Sequence, residues 1–168
     1  MSDALDLADH VDDIQTRWHE RSFARRWKEA GAPPWDSQGA YLPWPDDDNE
    51  TATEGGIQVR HQGSETATSG VSIRSALRYS DSRFRARLDF EVLFTFTEEI
   101  ADATVSDAEP HFLETDGIPT SLGFLLAALA DGARSFGIPA PTLTPADRRY
   151  FIEEAVAAAS SDTGDTDD

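Results

Sequence analysis

Residues 83–96, RFRARLDFEVLFTF, place apolar side chains at every second position: Phe84, Ala86, Leu88, Phe90, Val92, Phe94 and Phe96. A period of two over so long a run fits a β-strand with one buried face, whereas a helix would scatter the same residues around its surface. Arg85, Arg87, Asp89 and Glu91 fall between them, so the other face is polar. A strand this long needs partners. Residues 70–80 supply one, with Val71, Ile73, Ser75, Leu77 and Tyr79 alternating, and residues 57–62 and 13–25 supply two more. The polar turn GSETATSG separates residues 57–62 from the alternating strand, and four strands in succession imply an antiparallel sheet.

The pattern then changes period. Leu122, Leu125, Leu126, Leu129, Ala133 and Phe136 recur at helical spacing, which predicts an amphipathic helix over residues 119–136. Gly123, Ala127, Ala130 and Gly132 make other parts of that helix thin and allow another element to come close. A second helix begins at LTPADRRYFIEEAVAAA, with Thr144 as N-cap and Pro145 in its first turn. Residues 3–12 fit a short helix, and the small acidic residues 160–168 fit a disordered tail. The expected organisation is an acidic N-terminal segment over 1–12, one α+β domain over 13–159, and the tail.

Charge limits the partners. With 32 acidic against 14 basic residues the net charge is −18, and Lys28 is the single lysine. Phosphate binding draws its affinity from clustered Lys and Arg that release counterions, so nucleic acid is a poor partner. Such acidity, with arginine nearly replacing lysine, suits a high-salt cytoplasm or a GC-rich genome. The strand arginines Arg74, Arg78, Arg83, Arg85 and Arg87 are expected to pair with carboxylates across the sheet. No apolar run approaches the roughly 20 residues of a membrane span. The start MSDALDLADHVDD lacks the basic and apolar regions of a signal peptide, which reads as a cytoplasmic protein.

A search for chemistry returns little. There is no cysteine, which removes disulfides, thiolate metal sites and a thiol nucleophile. His10, His19, His61 and His111 are scattered without metal-ligand spacing. The acidic run beginning at Asp46 lacks the glycine and the closing glutamate of a calcium loop. Neither a phosphate-cradling glycine loop nor a nucleophile elbow is present. The sequence therefore reads as a non-enzyme without metal or cofactor.

Several motifs, in order, resemble the SecB chaperone family. Phe94-Thr95-Phe96 followed by Glu98-Glu99 is similar to the end of that family's last strand and its acidic loop. Phe112-Leu113 and Ile118-Pro119 resemble its helix approach, and Phe136-Gly137-Ile138-Pro139 through Leu143-Thr144-Pro145 resembles its exit. Residues 13–26 resemble its first strand, so the likeness runs from about 11 to 153 with a poorly matched stretch over 27–56. The resemblance implies a four-stranded antiparallel sheet with a long helix and a short C-terminal helix on one side. It further implies a homotetramer, a dimer of dimers, that holds unfolded polypeptides without ATP, for export or for the antitoxin of a toxin–antitoxin pair.

The stretch 27–56, rich in proline and glycine, reads as a long loop that carries Trp35, Tyr41, Leu42 and Trp44. Such aromatic side chains either plug the edge of the core or offer an apolar surface to a partner. The resemblance implies the second role, with the last helix and Ile57 and Val59 of the second strand completing a client groove. It also implies a contact between acidic residues of the first and fourth strands and a translocation motor. Here Glu20 keeps one acidic position and Ala24 loses another, while Arg85 and Arg87 reverse the charge. A structural or assembly subunit of a virus or large complex is the alternative reading of the same sheet.

Overall fold

The computed structural model describes residues 5–25, 52–81 and 84–162. Four strands form one antiparallel sheet: β1 (Val11–Arg25), β2 (Ala52–Gly63), β3 (Ala67–Ser80) and β4 (Phe84–Ala101). Their order is β1-β4-β3-β2, so the chain leaves one edge of the sheet at β1 and re-enters at the opposite edge. A meander of β2, β3 and β4 with the first strand returned beside the fourth is a Greek-key arrangement. The architecture expected from the resemblance is present: an antiparallel sheet with helices on one face.

The alternation in β4 sets the layers. Phe84, Phe90 and Phe94 and the apolar positions between them are all buried, as are Val71, Ile73 and Leu77 of β3. At the β3–β4 turn the Asp81 carboxylate accepts a hydrogen bond from the backbone N–H of Phe84 at 3.0 Å, which fixes the register. Arg74 supports the expected cross-strand pairing, donating from Nε and Nη2 to the two carboxylate oxygens of Asp89 at 2.9 and 2.7 Å. The guanidinium holds the Asp89 carboxyl below its ordinary range.

Over the apolar face run α1 (Asp102–Phe112), a five-residue π-turn (Leu113–Gly117), α2 (Ile118–Ser135) and α3 (Pro145–Asp162). The stretch after Glu98-Glu99, expected as an acidic loop, is strand as far as Ala101 and then helix. Val105, Ala108 and Phe112 recur at helical spacing and are buried, with Phe112 edge-on to Phe94 at 5.2 Å. Pro119 lacks the N–H that would continue the helical ladder, and the chain widens into the π-turn before it.

The end of α2 is set by Gly137, at φ 67. Its N–H donates to the Arg134 carbonyl at 2.9 Å and that of Ile138 to Ala133 at 3.0 Å, the paired bonds of a Schellman cap. Thr144 caps α3 as expected: its Oγ1 accepts from the Asp147 N–H at 3.2 Å while the Asp147 carboxylate accepts from the Thr144 N–H at 2.9 Å. The last helix expected is present as α3, and it extends to Asp162, into the segment expected as tail. The short helix over 3–12 is a single 3-10 turn, Leu7–His10, before β1. β2 begins at Ala52, so the last part of the expected loop is strand.

Candidate functional site

Between the sheet and the two later helices lies a groove of about 730 Å³. Its floor is Ile57 of β2 with Ser75, Leu77 and Tyr79 of β3. One wall is α2, through Ile118, Leu122, Leu125, Leu126 and Leu129. The segment Ala140–Pro141–Thr142–Leu143 closes one side, and α3 closes the other through Tyr150, Phe151 and Ala155.

The sequence opens the groove for a simple reason. Along α2 the leucines exceed what one buried stripe needs: Leu125 and Leu129 are buried, and Leu122 and Leu126 stay half-buried at the groove wall. Gly55 lets α3 come down on β2, because a Cβ there would stand 3.2 Å from the Phe151 ring. At Gly56 a Cβ would meet nothing within 4 Å. Ser75 brings a hydroxyl to the floor that is buried without a hydrogen-bond partner among the described residues.

The charged residues lining the groove, among those described, are Asp147 and Glu154. Asp147 is held below the ordinary carboxylate range by the Thr144 side-chain and backbone hydrogen bonds. Glu154 accepts from the Tyr150 hydroxyl at 2.7 Å, which pushes the phenol up. An apolar trough with a carboxylate rim suits an extended, uncharged or cationic polypeptide segment. Among the described residues it pairs no nucleophile with a base, and they contain no group of three or more metal-ligating side chains.

Of the residues expected to bind a client, Ile57 lies in the groove floor. Val59 follows on the same face of β2, half-buried against the core rather than in the groove. Trp35, Tyr41, Leu42 and Trp44 lie outside the described residues. The last helix lines the groove as the resemblance implies, through Tyr150, Phe151 and Ala155, and the groove gains α2 and the 140–143 segment, which the sequence reading left out. The surplus leucines of α2 and the adjacent aromatics opening α3 were the available signals.

The residues expected at a motor contact lie on the sheet's other face. Glu20 and Arg87 line a second depression there, of about 310 Å³, with Arg78 and Asp89, while Arg85 lies two residues along β4, half-buried. At the opposite edge of the sheet no described strand pairs with the outer side of β1. β1 is exposed along most of its length, with Ile14 at 46% and Trp18 at 38%, although Trp18 stacks on Phe90 at 5.1 Å.

Among the described residues no helix is long and apolar enough to cross a membrane. No protein-family model and no curated protein matches the chain. Among solved structures, the chain is similar to a SecB-like chaperone of Mycobacterium tuberculosis in complex with a ChAD peptide from the HigA1 antitoxin. The identity is 18%, the match covers 82% of this chain and 88% of that one, and the TM-score is 0.48.

Proposed function

We propose that the protein is an ATP-independent holdase that binds extended apolar segments of non-native polypeptides in the groove between β2, α2 and α3. The groove carries this reading: a long apolar trough, open to solvent, beside β2, the edge strand of the sheet among the described residues, where an extended client adds by backbone pairing. Binding of this kind lowers the free concentration of aggregation-prone chains by mass action and needs no nucleotide. The loop aromatics Trp35, Tyr41, Leu42 and Trp44 extend the client surface in this reading, and the protein works in the cytoplasm.

The holdase is a homotetramer. Two exposed apolar surfaces support this: the β1 edge with Ile14 and Trp18, and the α2 face with Phe124, 41% exposed, beside Gly123 and Ala127. A two-fold axis between Trp18 and His19 would pair β1 with its copy and set Arg17 against Glu20 and Ile14 against Phe23. The bulge between Trp18 and Glu20 keeps those pairs on matching faces.

The test is aggregation of a chemically unfolded model protein with wild type beside Leu126→Arg. Protection by wild type that the variant loses is expected. A folded wild type that gives no protection overturns the general holdase. Protection confined to one antitoxin segment assigns the groove to a dedicated client.

A further inference from the structure

The two helical walls of the groove are held to the molecule in different ways. α2 buries Ile118, Leu125, Ala128, Leu129 and Ala133. The Phe23 ring of β1 packs on its Gly132, and its Asp131 accepts from Arg21 at 2.7 Å. α3 is exposed from Pro145 to Tyr150, buries Ala155, and sets Phe151, Ile152 and Val156 half-buried. Two of its polar side chains bond within the helix and its cap: the Asp147 carboxylate accepts from Thr144, and the Tyr150 hydroxyl donates to Glu154. An apolar stripe of about two turns therefore seats α3 on the sheet. An element with so few buried side chains belongs to the low-stability end of a fold.

The chain between the two helices allows α3 to move. Ile138 is buried behind the Gly137 cap, and residues 138–144, with Pro139 and Pro141, form neither helix nor strand. A swing of α3 about this segment breaks no ladder of backbone hydrogen bonds.

The ring of Phe151 holds a defined place in the groove. A Cβ at Gly55 would stand 3.2 Å from it, and Gly55 lies opposite Leu77 in the β2–β3 register. Gly55, Leu77 and Phe151 all line the groove, so the ring rests at its floor. That floor of bare backbone and apolar side chain is what an apolar residue of an incoming polypeptide would cover.

We infer that α3 is an internal occupant of the groove: the Phe151 ring sits where an apolar client side chain binds, and the client displaces it. This rests on the groove being a polypeptide site. An occupant raises the apparent Kd in inverse proportion to the fraction of molecules whose seat is free, whereas a ring that only walls the groove lowers the Kd by adding contact. Truncation at position 151 gives opposite signs in the two cases.

Fluorescence anisotropy with a labelled apolar ten-residue peptide on the full chain reads that sign. Phe151→Ala should lower the Kd about fivefold, and Leu122→Ala, on the fixed wall, should raise it by a similar factor. A Kd that rises or stays unchanged in Phe151→Ala overturns the inference, as does a gain that Leu122→Ala shares. A second measurement keeps the ring in place: 4-fluorophenylalanine at position 151, read by fluorine NMR with a soluble gadolinium chelate. Saturating unlabelled peptide should increase the relaxation of that resonance, because the displaced ring meets solvent. Relaxation that falls or does not change on peptide binding places the client on top of a fixed ring and overturns the inference while the groove stands. Peptide bound by neither wild type nor Phe151→Ala removes the groove reading and this inference together.

Discussion

The two edges of the sheet are built differently. β1 is a 15-residue strand with side chains exposed on both faces along most of its length, and its ties to the helices lie at its far end. There Phe23 packs on Gly132 of α2, and Arg21 meets Asp131 at 2.7 Å. β2 carries glycines where β1 carries Trp18 and arginine, and α3 comes down over it. An edge with exposed, bulky side chains suits lasting pairing with a surface of fixed shape. An edge with two adjacent glycines, Gly55 and Gly56, beside an apolar trough suits chains of varied sequence. The difference separates assembly from client binding within one sheet.

The largest effect should come from the wall of the groove. Leu125→Ala removes a buried side chain and should cost about 2–5 kcal/mol in chemical denaturation. Ile14→Ala, on the β1 edge, should cost under about 1 kcal/mol in a monomer. A cost at Ile14 that approaches the Leu125 value and grows with protein concentration would place a second chain over β1.

Gly132→Val comes next. Its Cβ would overlap the Phe23 ring, and overpacking there should cost about 1–3 kcal/mol while leaving peptide binding in the groove intact. Loss of peptide binding instead would couple the two edges through α2.

A smaller effect concerns pH on the groove side. His61 of β2 lies 2.8 Å from Glu109 of α1, whose carboxylate is buried, and that hydrogen bond raises the imidazole pKa, with Asp102 adding to it. A raised folded-state pKa gives stability that is fully present below the ordinary value of 6.5 and is lost as pH rises through the folded value. Denaturation midpoints should therefore fall across that window in wild type and stay flat in His61→Gln. Equal slopes in both would remove the tie between α1 and β2.

The smallest effect should come from Arg21→Ala. With side chains 40% and 64% exposed, the Arg21–Asp131 pair should contribute less than about 1 kcal/mol, read as a small shift in the denaturation midpoint. A larger loss would show that the pair is buried in an assembly.

Much of the fold was legible because its signal is local. The alternation from Phe84 to Phe96 sets both the strand and its buried face, and Thr144-Pro145 marks the start of α3. Where non-local packing decides, the sequence was silent. α1 carries three acidic residues and a proline, and its apolar positions are few, so the sequence reading assigned it no helix. It is a helix because Val105, Ala108 and Phe112 meet the sheet. Strand order escaped for the same reason, since no local signal tells β1 to return beside β4. In the candidate site Ile57 was found by its place on β2. Leu122 and Leu126 were recognised as apolar, but only the position of α3 leaves them lining a groove rather than a core.

Photocrosslinking at position 126 tests the central claim most directly. A photoreactive phenylalanine analogue replaces Leu126 in one sample and Phe124, on the outer face of α2, in another. Each is irradiated with an unfolded model protein. The account expects client adducts from position 126, competed away by an apolar peptide, and none from position 124. Adducts from 124 with none from 126 would contradict it and move client binding off the groove.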